Sequence, residues 1–394
     1  MRFGGGLIAI FAVACGLAVG NIYYAQPLLE AIGAGFSVGH AQAAFVVTVT
    51  QIGYAFGLLA LVPLGDLVEN RRLILTILVG TVVSLVCAGV APNFACFLAA
   101  SLAIGVTSVV AQVLVPLAAN LAPAAERGRV VGQVMSGLIL GILFARALAG
   151  FISGVAGWRA VYLVSAVMLT LTLVVLARAL PVRRPAYPDG YLALMRSLVT
   201  IFRREPVLRR RVVYQSAMFG LFSAFWTTIT FHLSAAPFHL STTWIGAFAL
   251  VGAAGALVAP LAGRLGDGGY GRWVSGAAFC IGAFGFALAL VPDRLWTLAL
   301  AAVAIDVAVQ ASLVSGQQAI YALDPAARGR LNTLYIGLFF FGGAAGSWLG
   351  SVAYERAGWS GVVALGVALP LAALLYWCTE RPARARGLQN EGAR

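Results

Sequence analysis

Val62-Pro63-Leu64-Gly65-Asp66 closes one apolar run of this 394-residue chain, and Gly263-Arg264-Leu265-Gly266-Asp267 closes another. The two aspartates stand 201 residues apart, each after a Leu-Gly pair. Arg127-Gly128-Arg129 recurs at the same offset as Arg328-Gly329-Arg330, and Gly157-Trp158 recurs as Gly358-Trp359. Three landmarks at one offset imply a duplication that insertions and deletions have not blurred. The period is far too long for a stacked repeat protein. In an apolar chain it marks the two halves of a duplicated membrane bundle.

Composition requires the membrane. Hydrophobic residues make up 61% of the chain and charged ones 10%, against roughly 25% charge in soluble domains. Apolar runs tile the sequence and leave no stretch for a separate soluble domain. They predict twelve spans, at 7–30, 41–64, 73–91, 95–121, 131–155 and 159–180, then 212–236, 243–265, 273–291, 295–321, 331–354 and 359–378. Each is long enough to cross ~30 Å of hydrocarbon as a helix. The first run is too long for a cleavable signal peptide and lacks a convincing cleavage site. The expected fold is all-α, two pseudo-symmetric six-helix bundles at 1–180 and 212–378. A cytoplasmic linker, 181–211, and a polar tail, 379–394, complete the chain.

All 26 basic residues are arginine. With an even number of spans both termini share one side, and 22 arginines fall on or beside that side. Only Arg159, Arg294 and Arg356 fall opposite, and Arg146 lies inside a span. The positive-inside rule makes the termini cytoplasmic. The net charge of +13 therefore reports orientation in a membrane, and nucleic-acid binding is not expected. In the linker, Tyr191, Leu194, Met195, Leu198 and Phe202 recur at helical spacing beside Arg196 and Arg203. That pattern predicts an amphipathic helix on the cytoplasmic leaflet. Cys15, Cys87, Cys96, Cys280 and Cys378 lack metal-ligand spacing and read as small core residues.

These features together resemble the major facilitator superfamily across essentially the whole chain. Pro63-Leu64-Gly65-Asp66-Leu67-Val68-Glu69-Asn70-Arg71-Arg72 is similar to the family's cytoplasmic loop between the second and third helices. It departs from the usual pattern at Val62, Leu67 and Glu69. Asp267, followed by Gly271-Arg272, belongs to the matching loop of the second half. The resemblance implies gating roles for Asp66, Arg71, Arg72, Asp267 and Arg272. A carboxylate at a helix end can face the positive N-terminus of a helix from the other half, a contact available in one state only. Gly20-Asn21-Ile22-Tyr23-Tyr24-Ala25-Gln26-Pro27-Leu28-Leu29 resembles the first helix of a bacterial branch grouped with drug and metabolite exporters. Uncharged amides and phenols within a span must find partners, in a water-filled cavity or in helix–helix contacts; the family fold, whose first helix lines the cavity, implies that Asn21, Tyr23, Tyr24 and Gln26 meet substrate. The glycines of the fifth helix (Gly137, Gly141, Gly150) lack the exporters' Gly-Pro pair and are better explained by close packing. The coupling arginine that many proton-driven members carry four residues before Gly105 is absent; Ser101 stands there.

Two charges remain deep in the spans, Arg146 and Asp306. Intramembrane charges are costly and usually mark function or a pair. Counted from the outer boundaries, they lie about 13 and about 17 Å deep, close enough to meet if their helices face each other. Asp306 continues along its helix into Gln310 and Gln317. Asp306 is therefore the expected proton-linked group, with Arg146 setting its charge or pairing with an anionic substrate. Gln112, Tyr214, Gln215, Trp226 and Tyr335 complete the expected substrate contacts. No cofactor, metal site, ATP-binding module or catalytic constellation is expected. The resulting expectation is a proton-coupled exporter of a small organic molecule in the bacterial inner membrane, working as a monomer. Uptake or facilitated diffusion is the alternative, and a non-transporting sensor a more distant one.

Overall fold

The computed structural model describes residues 5–123, 126–183, 190–256, 258–291, 294–324 and 327–380. Pro185 and Pro188 of the linker, and 381–394 of the tail, lie outside the described residues. Among the described residues there is no strand, and eight helical stretches are long and apolar enough to cross a membrane. The helices are α1 (Gly5–Gly20), α2 (Leu29–Phe36), α3 (His40–Ala60), α4 (Asn70–Gly89), α5 (Phe94–Thr107), α6 (Val110–Leu121), α7 (Arg127–Ala156) and α8 (Trp158–Ala179). Then follow α9 (Tyr191–Arg204), α10 (Pro206–Ser234), α11 (Thr242–Phe248), α12 (Ala253–Ala256), α13 (Ala259–Leu265), α14 (Gly271–Leu288), α15 (Leu295–Tyr321) and α16 (Arg328–Cys378).

Three predicted spans are not continuous helices. The 7–30 run breaks after Gly20 into tight turns and a 3-10 segment at Gln26–Leu28, where Pro27 has no N–H to give. The 243–265 run breaks into α11, a 3-10 turn at Ala249–Gly252, α12 and α13, around Gly252, Gly255 and Pro260. The 95–121 run bends at Ser108 and Val109 between α5 and α6. Irregular backbone at membrane depth is tolerated where it is buried or lines a cavity, and the first two breaks flank the cavity described below. The Arg328–Cys378 stretch of α16 is itself two helices joined at Gly358, whose φ of 61° and ψ of -153° are non-helical. Gly157, 201 residues earlier, takes φ 82° between α7 and α8. Both turns need a positive φ that a side chain would oppose.

The helix crossings repeat between the two halves. Gly137 and Gly141 of α7 lie against α1, and Gly342 and Gly346 of α16 against α10, with backbone meeting backbone at Gly16–Gly141 and Gly220–Gly346. α3 crosses α5 through Gly53, Gly57 and Gly105, and α12 crosses α15 through Gly255. Between the two ends of the chain, α3 packs on α16 and α7 on α11. Small residues suit these crossings because helices in lipid associate by close contact rather than by hydrophobic drive. The outer faces are apolar, as at Phe144, Phe151, Val155 and Leu375, while Gln51, Ser223, Thr227 and Thr228 are buried.

Two expectations change. Only Cys15 is a core cysteine; Cys87, Cys96, Cys280 and Cys378 face outward, where an apolar thiol suits a lipid-facing position as well as a core. The linker helix α9 turns its apolar face onto the bundle. Leu194 and Leu198 are buried, the Tyr191 hydroxyl donates to the Ala60 carbonyl at the end of α3, and Arg330 at the start of α16 donates to Ser197. Its apolar stripe finds protein surface at the mouth of the bundle, so it does not need lipid.

Candidate functional site

A cavity of about 870 Å³ runs through the middle of the bundle. Its deep end is formed by Tyr23, Arg146, Phe222, Gly252 and Asp306, and its mouth by Asp66, Arg183, Leu198, Arg328 and Arg330 at the end that carries the linker. The breaks after α1 and in α11–α12 deliver Tyr23 and Gly252 to the deep end.

Arg146 is buried at 4% exposure. Its Nε donates to Gln26 Oε1 at 2.6 Å, and its guanidinium carbon sits 4.6, 4.9 and 5.2 Å from the ring centres of Trp226, Tyr23 and Phe222. An aromatic box of this kind stabilises a desolvated cation through the ring faces. The Arg146 Nη2 and Gln26 Nε2 find no acceptor among the described residues. Asp306 stands across Trp226: the indole Nε1 donates to Asp306 Oδ1 at 2.9 Å. Among the described residues no ion pair within 4.0 Å joins Arg146 to Asp306. One tryptophan therefore serves both charges, its face under the cation and its N–H on the carboxylate. The other side of Asp306 packs into the Gly252–Gly255 notch, where a Cβ on Gly255 would fall 2.7 Å from that of Asp306.

The other sequence-derived residues divide. Tyr23, Gln112, Gln215, Gln310 and Gln317 line the cavity with Arg146, Asp306 and Asp66. Gln215 reaches the Val309 carbonyl with its nitrogen and leaves Oε1 unpartnered, and Gln317 bonds Asn332. Asn21 and Tyr24 turn instead to α8, where Ser165 donates to Asn21 Oδ1 at 2.8 Å and lies 3.4 Å from the Tyr24 hydroxyl. Gln26 acts through Arg146, and its carbonyl accepts from Thr230 of α10. Tyr214 is drawn to the linker end by Glu380 and Arg210. Tyr335 fills the α15–α16 crossing, with its hydroxyl on the Leu313 carbonyl. These departures share one cause: within a span a polar tip goes to the nearest unmet partner, and helical phase alone does not reveal it. The site also contains Phe219 and Phe222, which sequence reasoning passed over. Their i, i+3, i+7 spacing with Trp226 was the available signal.

At the mouth, exposed Asp66 faces the first turn of α16, sharing the lining with Arg328, Gly329 and Arg330, with no ion pair among the described residues. Arg71 caps the Ala177 carbonyl, Arg72 is exposed, Asp267 accepts from Gln318 at 2.9 Å, and Arg272 lies over Trp377. The opposite end is joined across the bundle. Glu355 of α16 accepts from the Ala41 N–H at the start of α3 at 2.7 Å, the His40 ring lies 4.5 Å from that of Phe231 of α10, and Gln51 donates to Ser223 deeper in. The carboxylate-on-helix-N-terminus contact expected of Asp66 is thus made, in this conformation, by Glu355 at the other end.

A helical membrane bundle with a central cavity closed at one end has the form of a transporter. The profile of the Major Facilitator Superfamily matches residues 7–292, and the chain belongs to that superfamily. It is 40% identical over 379 residues to "Uncharacterized transporter YgaY" of Escherichia coli O157:H7, covering 94% of each chain. It is 34% identical over 381 residues to "Probable transporter SCO4007" of Streptomyces coelicolor, covering 96% of this chain and 88% of that one. A solved bacterial homologue of the human lysosomal transporter Spinster, inward-facing and unoccupied, superposes with a TM-score of 0.74 at 14% identity, covering 94% and 95%. The protein is a membrane transporter of this superfamily, and its relatives are transporters rather than enzymes.

Proposed function

We propose that this protein is a proton-linked secondary transporter of a small organic molecule, using the central cavity as its substrate site and Asp306 as its proton-linked group. The observation that carries the reading is the pair of opposite charges, buried Arg146 and half-buried Asp306, held apart by Trp226 at the closed end of the cavity. A static ion pair would have collapsed to contact; a shared indole leaves each charge free to respond to a ligand or a proton. The chain is read as twelve crossings, with α16 counted as two about Gly358, in a bacterial inner membrane. The arginine bias makes the linker end cytoplasmic, so the described conformation is open inward, and closure would bring Asp66 onto the start of α16. The two bundles rock as bodies at 1–180 and 212–378, and the chain works as a monomer.

Export is the direction that the first-helix likeness supports. One observation favours a second reading, uptake by symport: the unpartnered Nη2 of Arg146 suits an anion, which a proton on Asp306 would help to admit. The purified full-length chain in vesicles, screened against metabolites and antibiotics with an internal pH dye, separates the two. Outward substrate flux with inward protons supports export, and flux in the same direction supports symport. Substrate flux that ignores the pH gradient in wild type and Asp306→Asn alike would remove Asp306 from its role.

A further inference from the structure

We infer that the closed end of the cavity is an organic-anion site, in which Arg146 takes the carboxylate of an aromatic monoanion. This rests on the reading of the cavity as the substrate site. Nε of Arg146 is committed to Gln26, and the aromatic rings cover the guanidinium faces. What remains is the Nη edge, with Nη2 buried and without an acceptor among the described residues, on a residue that lines the cavity. A buried N–H left unmet on a fixed, planar cation is the geometry that a carboxylate satisfies with charge-assisted hydrogen bonds. A cation would be repelled by the same edge, and a neutral amide would meet it with a weaker acceptor.

Two further features point the same way. The charged groups lining the cavity are four arginines (Arg146, Arg183, Arg328, Arg330) against two aspartates (Asp66, Asp306), so the path from the mouth favours entry of an anion. Below the guanidinium the wall is formed by Phe219, Phe222, Phe339 and Phe340, which fits an apolar, ring-bearing body rather than a small hydrophilic acid.

The site also fixes the sign of its coupling. Facing Asp306 are Arg146 from α7 and Tyr23 from the turn after α1. α10 presents Trp226, and α11–α12 present Gly252 and Gly255. α14 packs against α15 at Ala304 and Ala308 through Gly285 and Gly282. Arg146 is thus the one cation among these groups, and ionised Asp306 competes with a bound carboxylate for its charge. A proton on Asp306 removes the competitor, so anion and proton favour each other's binding, and by reciprocity to the same degree. For such an anion, proton and substrate move together, which is the symport reading and not the export one.

The test measures binding of 2-naphthoate, 2-naphthamide and 2-naphthamidine to the purified full-length protein by calorimetry, with Arg146→Gln and Asp306→Asn alongside. Wild type is expected to prefer the carboxylate by roughly tenfold or more, the range set by a buried donor that must be met. Arg146→Gln should lose that preference, while Asp306→Asn should bind naphthoate roughly three- to tenfold tighter, within the usual span of coupling between sites. Opposite signs at two residues that share one tryptophan are not what general destabilisation produces. If Arg146→Gln does not fold, the wild-type charge series and Asp306→Asn still decide. The inference is overturned if naphthoate does not bind, if the amide or amidine binds as tightly, or if Asp306→Asn binds naphthoate more weakly. Naphthoate binding of the expected pattern with no vesicle transport of any compound would sink the transporter reading and leave the anion site standing. Vesicle transport of neutral compounds by the wild-type protein, with no binding of naphthoate, would do the reverse.

Discussion

The two halves of the chain make the same helix crossings with different chemistry. In the first half Arg146 of α7 donates to Gln26; 201 residues on, Ser347 of α16 shares a hydrogen bond of 3.1 Å with Thr227 of α10. In the first half Gly105 of α5 lies against the α3 backbone, where a Cβ would fall 2.8 Å from the Tyr54 nitrogen. Its counterpart is Asp306 of α15, lying against Gly255, the counterpart of Tyr54. The duplicated frame keeps the crossing and its close approach. At each crossing one copy carries a charge and the other a small residue, and the two charged copies meet at the same end of the cavity. Symmetry supplies the shared crossings, and its local loss brings the two charges together at one end of the cavity.

Substitution can break that comparison. The largest effect is expected from Asp306→Asn, which makes this crossing as neutral as its Gly105 counterpart: transport stimulated by a pH gradient in vesicles should fall to the rate without a gradient. Retained stimulation would mean that the asymmetry at Gly105 and Asp306 has no part in coupling. Next comes Gly105→Asp, which transplants the charge into a crossing without the Gly252–Gly255 notch. Overpacking at a backbone contact costs about 1–3 kcal/mol and an unpaired buried charge adds to it, so monodisperse protein should be lost on size-exclusion chromatography. Recovery at wild-type yield would show that the first half can host the charge after all.

Smaller effects sharpen the comparison. Gln26→Ala leaves the Arg146 Nε without its acceptor, a loss of about 1–3 kcal/mol for a buried polar group, read as a lowered melting temperature in detergent. Thr227→Val, the same position in the other half, removes one neutral hydrogen bond and should cost about 0.6 kcal/mol. Equal melting shifts for the two would show that Arg146 does not depend on Gln26.

Much of the frame was legible in the sequence. The repeated Leu-Gly-Asp, Arg-Gly-Arg and Gly-Trp landmarks mark helix ends, and the structure places helix boundaries or turns at each. Arg146 and Asp306 were legible as the two deep charges because a charge inside an apolar run is conspicuous at any register. The partners of polar residues were less so. Asn21, Tyr24 and Tyr214 looked like cavity residues and are engaged elsewhere. The helix breaks after Gly20 and at Ala249–Gly252 were also missed, since hydropathy does not distinguish a continuous helix from a broken one of the same length.

By itself the sequence determined that this chain lives in a membrane, that it is duplicated, and where its costly charges lie. Those properties follow from counting apolar and charged residues along the chain, which needs no knowledge of neighbours. Only the tertiary structure decided that Arg146 and Asp306 meet through Trp226 rather than in direct contact, that Glu355 rather than Asp66 holds a helix N-terminus in this conformation, and that α9 rests on protein. Each depends on which surfaces face each other across helices far apart in the chain, and a one-dimensional pattern does not encode that distance.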